Sequence, residues 1–341
     1  MNILIDIINP SHALFFNSIL NEFNSDNFNI SIIVRNRAET IGLVKLFNIK
    51  SKVVGRDYTK KSIKPINMIY RTIQLYLNSG KFDYSISFEN GMCVAVSKLK
   101  YKKSILYCDN DLKFLQKKSI FQDLETIVKS LADHIIIPAV CFETFAKYFN
   151  EKKLIKYNGY KEDIYIADYK PDPLFLEKIP YTNFIVLRPE AFGSFYVKEK
   201  DSIVPDLLRR FKKENINVVY LPRDKEDFKY AEGFDIFIPN KPLNGLDLSY
   251  YANVILTGSG TMAREAACMG KTSVSFFPSD ILLSVDKKLV EEKKILHSRN
   301  VEEIIDYTIS KYNEKQNINI DRCKQVKKEV IQITKKILNE R

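Results

Sequence analysis

Apolar, β-branched runs alternate with amphipathic stretches from one end of this chain to the other, and the rhythm starts twice. The first series of candidate strands covers residues 3–8, 30–34, 52–54, 84–88, 104–107 and 134–137, with helical patterns such as 13–23 and 38–47 between them. The second covers residues 184–187, 218–221, 236–238, 254–256, 273–277 and 295–297. A strand that is apolar along its whole length has no face fit for water. Strands alternating with helices meet that demand as a parallel sheet covered on both sides. The pattern therefore predicts an α/β chain of two Rossmann-like, doubly wound domains facing a central cleft. The expected boundaries are 1–166 for the first domain and 174–320 for the second. The turn-rich segment 167–173 serves as linker. A final helix, 321–341, carries Val326, Val330, Ile333 and Ile337 on one face and is expected to pack back across the junction.

Bulk properties exclude several classes. With 341 residues, 45% hydrophobic and 28% charged, the composition is that of a soluble globular chain. No apolar run approaches the roughly 18–20 residues that a membrane-spanning helix needs. The opening Met1-Asn2-Ile3-Leu4-Ile5-Asp6-Ile7 lacks a basic leader and reads as a strand interrupted by Asp6. Five scattered cysteines, Cys93, Cys108, Cys141, Cys268 and Cys323, form no CxxC pair and suggest free thiols in a reducing cytoplasm. With only three histidines, a histidine-rich metal site is not expected.

The net charge of +11 has two readings: a lysine-rich surface, or attraction to anionic lipid or a phosphorylated acceptor. No nucleic-acid-binding signature accompanies it. Residues 60–78 mix Lys60, Lys61, Lys64 and Arg71 with Ile63, Ile66, Met68, Ile69, Ile73, Tyr76 and Leu77. Such a helix either packs into the core or lies in a lipid interface, which would put peripheral contact at the inner face of the membrane.

Chemistry concentrates where strands end. The segment Thr257-Gly258-Ser259-Gly260-Thr261 follows an apolar run and opens a small-residue helix that ends at Gly270. Unpaired amides and the positive helix end suit a phosphate or diphosphate there, and glycine lets the backbone come close. Glu265, about one turn on, is within reach of a sugar hydroxyl. The same turn also reads as a tight connection with no ligand. After the first strand comes Asn9-Pro10-Ser11-His12, with Ser11 as the expected N-cap and His12 as a candidate base at the cleft, or as a packing histidine. Glu89 and Asn90 follow the fourth strand, and Asp109 and Asp111 the fifth. They could meet acceptor hydroxyls, tune His12, or cap the next helices. They are too few to argue for a metal. Asn158, Tyr160 and Lys161 mark a turn near the junction, a hinge or a substrate contact. In the second series, Arg188-Pro189-Glu190 and Arg223-Asp224 end two strands. The guanidiniums could grip a diphosphate, or pair with Glu190 and Asp224.

Taken together these residues resemble the glycosyltransferase-B superfamily. Gly258-Ser259-Gly260-Thr261 with Glu265 resembles its nucleotide-sugar loop, and also a segment of UDP-N-acetylglucosamine 2-epimerases. Asn9-Pro10-Ser11-His12, Asn158-Gly159-Tyr160-Lys161-Glu162, Arg188-Pro189-Glu190, Pro222-Arg223-Asp224 and Gly260-Thr261-Met262-Ala263-Arg264-Glu265 are more closely similar to a mainly archaeal family of unknown function within that superfamily. The resemblance covers nearly the whole chain. It implies a nucleotide diphosphate-sugar, a UDP-sugar in the first instance, bound by the second domain, and a glycan or lipid-linked acceptor in the first. Ser259, Gly260 and Thr261 would meet the phosphates, Glu265 the ribose, and His12 would be the base, with no metal or other cofactor required. The epimerases carry a histidine-bearing segment where this chain has Arg188-Pro189-Glu190. Glu89, Asp109 and Asp111 nevertheless fall near the places of the epimerase acids. Glycosyl transfer is thus the expected activity, with sugar epimerisation or non-catalytic nucleotide-sugar binding as its rivals.

Overall fold

The computed structural model describes residues 1–23, 28–37, 39–56, 64–115, 120–190, 192, 201–314, 316 and 318–340. Of the residues singled out above, Ala38, Lys60, Lys61, Ile63 and Arg341 lie outside them. Two compact units emerge: Met1–Tyr165 with Gln325–Arg341, and Ile166–Lys324.

In the first unit the chain runs β1 (Asn2–Ile7), α1 (Pro10–Phe23), β2 (Asn29–Asn36), α2 (Thr40–Leu46), β3 (Lys52–Arg56), α3 (Lys64–Asn78), β4 (Tyr84–Phe88), α4 (Gly91–Leu99), β5 (Lys103–Tyr107), α5 (Leu112–Leu115), α6 (Ile120–Ser130), β6 (His134–Pro138), α7 (Phe142–Ala146), β7 (Leu154–Tyr157) and α8 (Lys161–Ile166). All seven strands are parallel, in the order β3-β2-β1-β4-β5-β6-β7. The order reverses between β1 and β4, the switch point at which doubly wound sheets open a crevice beyond their strand ends. Ile3, Leu4, Ile5 and Ile7 of β1 are fully buried, as a strand covered on both faces requires.

Asp6, in the middle of that strand, is equally buried. Its carboxylate takes two hydrogen bonds from Arg71 on α3, at 2.6 and 2.8 Å, and a third from Asn90 at 2.7 Å. Arg71 is therefore not part of a basic surface; it is 2% exposed and clamps α3 to the sheet. Gly55, at φ 76°, makes room for it. A Cβ there would lie 2.9 Å from Arg71 Cγ.

Three further expectations are corrected. The first helix begins at Pro10, whose fixed φ suits the first helical position. Asn9 thus occupies the cap, its carbonyl accepting from the His12 and Ala13 amides, and Ser11 sits inside the first turn. Residues 154–157, which are not among the candidate strands, form the edge strand β7. Residues 236–238 make only an isolated bridge, Val219 to Phe237.

The second unit continues with β8 (Ile185–Arg188), α9 (Val204–Lys213), β9 (Val218–Tyr220), α10 (Phe228–Ala231), α11 (Gly245–Tyr251), β10 (Val254–Thr257), α12 (Gly260–Met269), β11 (Ser273–Ser275), α13 (Ser284–Glu291), β12 (Ile295–His297) and α14 (Val301–Tyr312). Its five parallel strands lie in the order β12-β11-β10-β8-β9, with the switch point between β8 and β10. The last helix, α15 (Asp321–Asn339), ends on the first unit. Tyr107 and Thr334 share a hydroxyl hydrogen bond, and Glu329 receives both the backbone N–H and side-chain amide of Asn158. Val326 fills the space beside Gly159 so closely that a Cβ there would stand 2.5 Å from it. Among the described residues no helix is long and apolar enough to cross a membrane.

Candidate functional site

In the second unit the switch point brings three strand ends together. Thr257 pairs with Arg188 across β10 and β8, so Arg188 stands beside the residue that opens the glycine-rich turn. The Gly258 amide donates to the Arg188 carbonyl at 3.0 Å. A Cβ on Gly258 would lie 2.4 Å from Glu190 Cα, so only glycine lets the two loops cross this closely. Ser259 is extended, at φ −143°, and its side chain makes no cap hydrogen bond. The amides of the first turn of α12 have no acceptor within their own helix, and the helix dipole points its positive end the same way.

Arg188 ends β8, the strand beside β10, and Arg223 follows β9, the next strand out. Arg223 donates through Nε to the Pro189 carbonyl at 2.9 Å, while its Nη2 and the Nε of Arg188 are buried without a partner. The alternative, pairing with Glu190 and Asp224, does not form. Glu190 accepts from Ser202, the Ile203 amide and Arg299, at 2.7, 3.0 and 3.1 Å. Asp224 forms a capping box with Asp227. Among the described residues no carboxylate lies within ion-pair distance of either guanidinium. Burial, and next to it the charge of Arg188, push Arg223 down to about 10. Two poorly compensated cations beside a helix N-terminus favour an anion between them, because it supplies the charge and acceptors the protein withholds.

Two other members of the expected set are engaged within the protein. Thr261 Oγ1 receives Arg264 at 3.4 Å, and Arg264 in turn pairs with Asp286 on α13 at 2.8 Å. Gly260 leaves space for that guanidinium. Glu265 is buried one turn into α12. The Arg264–Asp286 pair was not foreseen, its members lying 22 residues apart in sequence.

The first unit gathers a different cluster at its own switch point. Phe88, the last residue of β4, lies 5.0 Å from the His12 ring between centroids and 5.4 Å from the Lys161 ammonium. Lys161 pairs with Asp109 at 3.0 Å and Glu162 at 3.5 Å. Glu89 adopts the left-handed conformation, φ 48°, which turns its side chain under the end of β5. One carboxylate oxygen accepts the Asp109 and Asn110 amides at 3.0 and 2.9 Å, and the other holds Lys129 at 2.5 Å. Burial by itself would raise this carboxyl, but Lys129, Lys113 and these hydrogen bonds outweigh it and bring it to about 2. The buried lysines Lys113 and Lys129 were not foreseen. Asn9, His12, Glu89, Asp109 and Lys161 therefore do converge, and Asp111 is buried just beyond them. Asn90 instead serves Asp6. Asn158 serves α15, and the buried Tyr160 caps Asp163 through its amide at 2.8 Å.

His12 is 4% exposed, with Asn9 Nδ2 3.4 Å from Nε2 and no partner on Nδ1. Burial first, then Lys161, lower its pKa to about 3, so the imidazole is neutral throughout the physiological range. A depressed histidine means the unfolded chain binds a proton that the folded one refuses. Stability is then full above the ordinary 6.5 and falls as pH drops towards 3. Glu89 adds to the loss only below its ordinary 4.5. His12→Gln should accordingly flatten the decline between pH 7 and pH 4 by about 2–3 kcal/mol in urea titrations. Equal slopes in the two proteins would contradict the buried, neutral assignment.

Comparison with known proteins agrees with this architecture. An uncharacterized protein of Methanocaldococcus jannaschii, MJ0665, is 26% identical over 318 residues, 90% of each chain. The UDP-GlcNAc 2-epimerase of the same organism superposes with a TM-score of 0.71 at 14% identity, covering 98% of this chain and 100% of that one. The Neisseria meningitidis UDP-GlcNAc 2-epimerase, solved bound to UDP-GlcNAc, gives 0.69 at 11% identity, again over 98% and 100%. Acinetobacter baumannii MurG gives 0.55 at 12% identity over the same shares. These likenesses establish a common two-unit Rossmann-like fold. In sequence, residues 1–335 match a family as a whole, and the chain belongs to it: the family described as protein of unknown function, DUF354.

Proposed function

We propose that this protein is a glycosyltransferase that takes a sugar from a nucleotide diphosphate-sugar and moves it to an acceptor hydroxyl of a glycan or lipid-linked glycan. One observation carries the proposal: a glycine-crossed helix N-terminus with two guanidiniums at the neighbouring strand ends, each with an unpartnered, buried donor and, among the described residues, no carboxylate at ion-pair distance. That is a site for a diphosphate. Similarly folded proteins are named for UDP-GlcNAc, which makes UDP the first nucleotide to test.

In the proposed reaction the acceptor oxygen attacks the anomeric carbon, and the bond from that carbon to the β-phosphate oxygen breaks. The nucleoside diphosphate leaves with the bonding pair. The α12 amides, Arg188 and Arg223 stabilise its charge, the task a divalent cation performs elsewhere, so no metal or other cofactor is required. Glu265 holds the ribose hydroxyls. The acceptor proton goes to His12, whose neutral ring keeps a lone pair at working pH. A cytoplasmic location fits a nucleotide-sugar donor and five free, buried cysteines.

A second reading, sugar 2-epimerisation, is favoured by the higher TM-scores to epimerases than to MurG. Glu89 speaks against it. A proton shuttle at a sugar ring needs acids that can give up a proton, and Glu89 is held ionised with both oxygens occupied. Proton NMR of UDP-GlcNAc in deuterated buffer separates the two. Transferase activity leaves the H2 signal intact and gives at most slow release of UDP without acceptor. Loss of H2 by solvent exchange, with a second C2 epimer appearing, would replace the transferase by the epimerase.

A further inference from the structure

Helix α3 is amphipathic, with its apolar stripe turned outward. Its inner side carries Leu75 and the Arg71–Asp6 clamp. Its outer side presents Ile66, Ile69, Tyr70, Ile73, Tyr76 and Leu77, each between 40% and 73% exposed. Spacings of three, four and seven residues put them on one continuous stripe. The apolar stripe of a surface helix normally faces a core or a partner. The stripe continues onto the end of α4, where Lys100 lies over the Tyr76 ring at 4.8 Å and its neighbours Leu99 and Tyr101 are 61% and 95% exposed.

We propose that this face, α3 with the Leu99–Tyr101 turn, is the contact between two copies of the chain in a two-fold symmetric dimer. Area is the first argument. At on the order of 200 Å² for a fully exposed large side chain, the eight residues offer about 1,000 Å², against about 800 Å² per partner in a standard interface. It also exceeds the few hundred Å² that monomers usually leave bare. Charge is the second. From Pro65 to Asn78 the only ionisable groups with a charge at neutral pH belong to Arg71, and that one is neutralised inside the protein. Two-fold symmetry sets a patch against itself, so any charge near the axis meets its own kind. Lys100 is the one charge in the Leu99–Tyr101 turn, donating to the Gly80 carbonyl at 3.0 Å, and between Ile66 and Leu77 the stripe presents none. A chain of net charge +11 is repelled less by its copy across a face so poor in charge. The same feature disfavours lipid. A helix lying in an anionic interface has several lysines or arginines along its polar side, and after Lys64 α3 carries only the buried Arg71. Depletion of charge with retention of tyrosine and branched aliphatics is the composition of a dimer core.

The test is sedimentation velocity on the full-length protein from about 0.5 to 50 μM, a range that brackets affinities of standard interfaces. Wild type should sediment at twice the chain mass. Ile73→Asp and, separately, Leu77→Lys should weaken association on the order of 100-fold or more, because each puts like charges face to face. Both positions are exposed, so unchanged circular dichroism and melting should accompany the loss. A wild-type monomer across the range overturns the proposal, and so does a dimer that survives both substitutions. Flotation of a monomeric wild type with phosphatidylserine vesicles, abolished by Ile73→Asp, would assign the face to lipid and likewise overturn it. Nucleotide binding is scored separately, since the proposed nucleotide site lies in the other unit.

Discussion

Arg71→Met is expected to destabilise the first unit by about 3–5 kcal/mol, among the largest effects of any single substitution in the protein. Asp6 is fully buried in β1, an interior strand of the sheet, and among the described residues its side-chain partners are Arg71 and Asn90. Removing the guanidinium leaves a carboxylate in a medium where an uncompensated charge costs several kcal/mol, and one amide cannot replace two charge-assisted bonds. Removing both partners of a buried pair costs far less than removing one. The double variant Asp6→Leu with Arg71→Met should therefore recover much of the loss, even though a clamp between β1 and α3 is gone. Urea unfolding followed by far-ultraviolet circular dichroism reads both. A single-variant loss below about 1 kcal/mol would show that the pair is solvated rather than buried.

Gly258→Ala is expected to reduce nucleotide affinity on the order of 100-fold or more, equivalent to roughly 3 kcal/mol of binding free energy. The added carbon would stand 2.4 Å from Glu190 Cα and 2.7 Å from its amide nitrogen. Both are backbone atoms and cannot swing aside as the tip of a side chain does. Either β8 or the turn must therefore move, and the turn carries the amides proposed to hold the diphosphate. Ser259→Ala, which removes a side chain without a capping role, should leave the turn in place and cost affinity only through its own hydroxyl, about 1 kcal/mol. Calorimetry with UDP distinguishes the two. Unaltered affinity in Gly258→Ala would remove this turn from the binding site.

Much of the fold was legible because parallel strands buried on both faces must be written as unbroken apolar runs. Ile3, Leu4, Ile5 and Ile7 could hardly be anything else, and Tyr84–Phe88 matches its expected limits. The failures occur where that rule lapses. Strand β7 lies at the sheet edge, and its exposed Lys156 breaks the run, so it does not stand out as a strand. Residues 236–238 have the apolar pattern but form a bridge only at Phe237.

The candidate site was legible at the level of the strand ends and not at the level of partners. The glycine-rich turn and both arginines stand where the strand–turn–helix pattern implied. Whether Glu190 would pair with Arg188 or with Arg299 depends on a residue more than a hundred positions away, and local pattern holds no such information. Arg71 failed for the same reason. On a helix that follows Lys60, Lys61 and Lys64 it reads as surface, and only Asp6, sixty-five residues earlier, draws it inward. Glu89 was expected among the catalytic groups. Its left-handed backbone and its hold on Lys129 make it an anchor for the Asp109–Asn110 turn.

Titrating the full-length protein with UDP in a calorimeter, beside the Arg188→Ala, Arg223→Ala double variant, probes the proposed diphosphate cradle at the start of α12 most directly. The wild type should bind, and at a ligand concentration about 100 times Kd its folded state should gain about 2.7 kcal/mol. The double variant should keep its fold and lose most of that affinity. Equal binding by both proteins, or no heat from the wild type at millimolar UDP and UDP-GlcNAc, would contradict the cradle and with it the proposed chemistry.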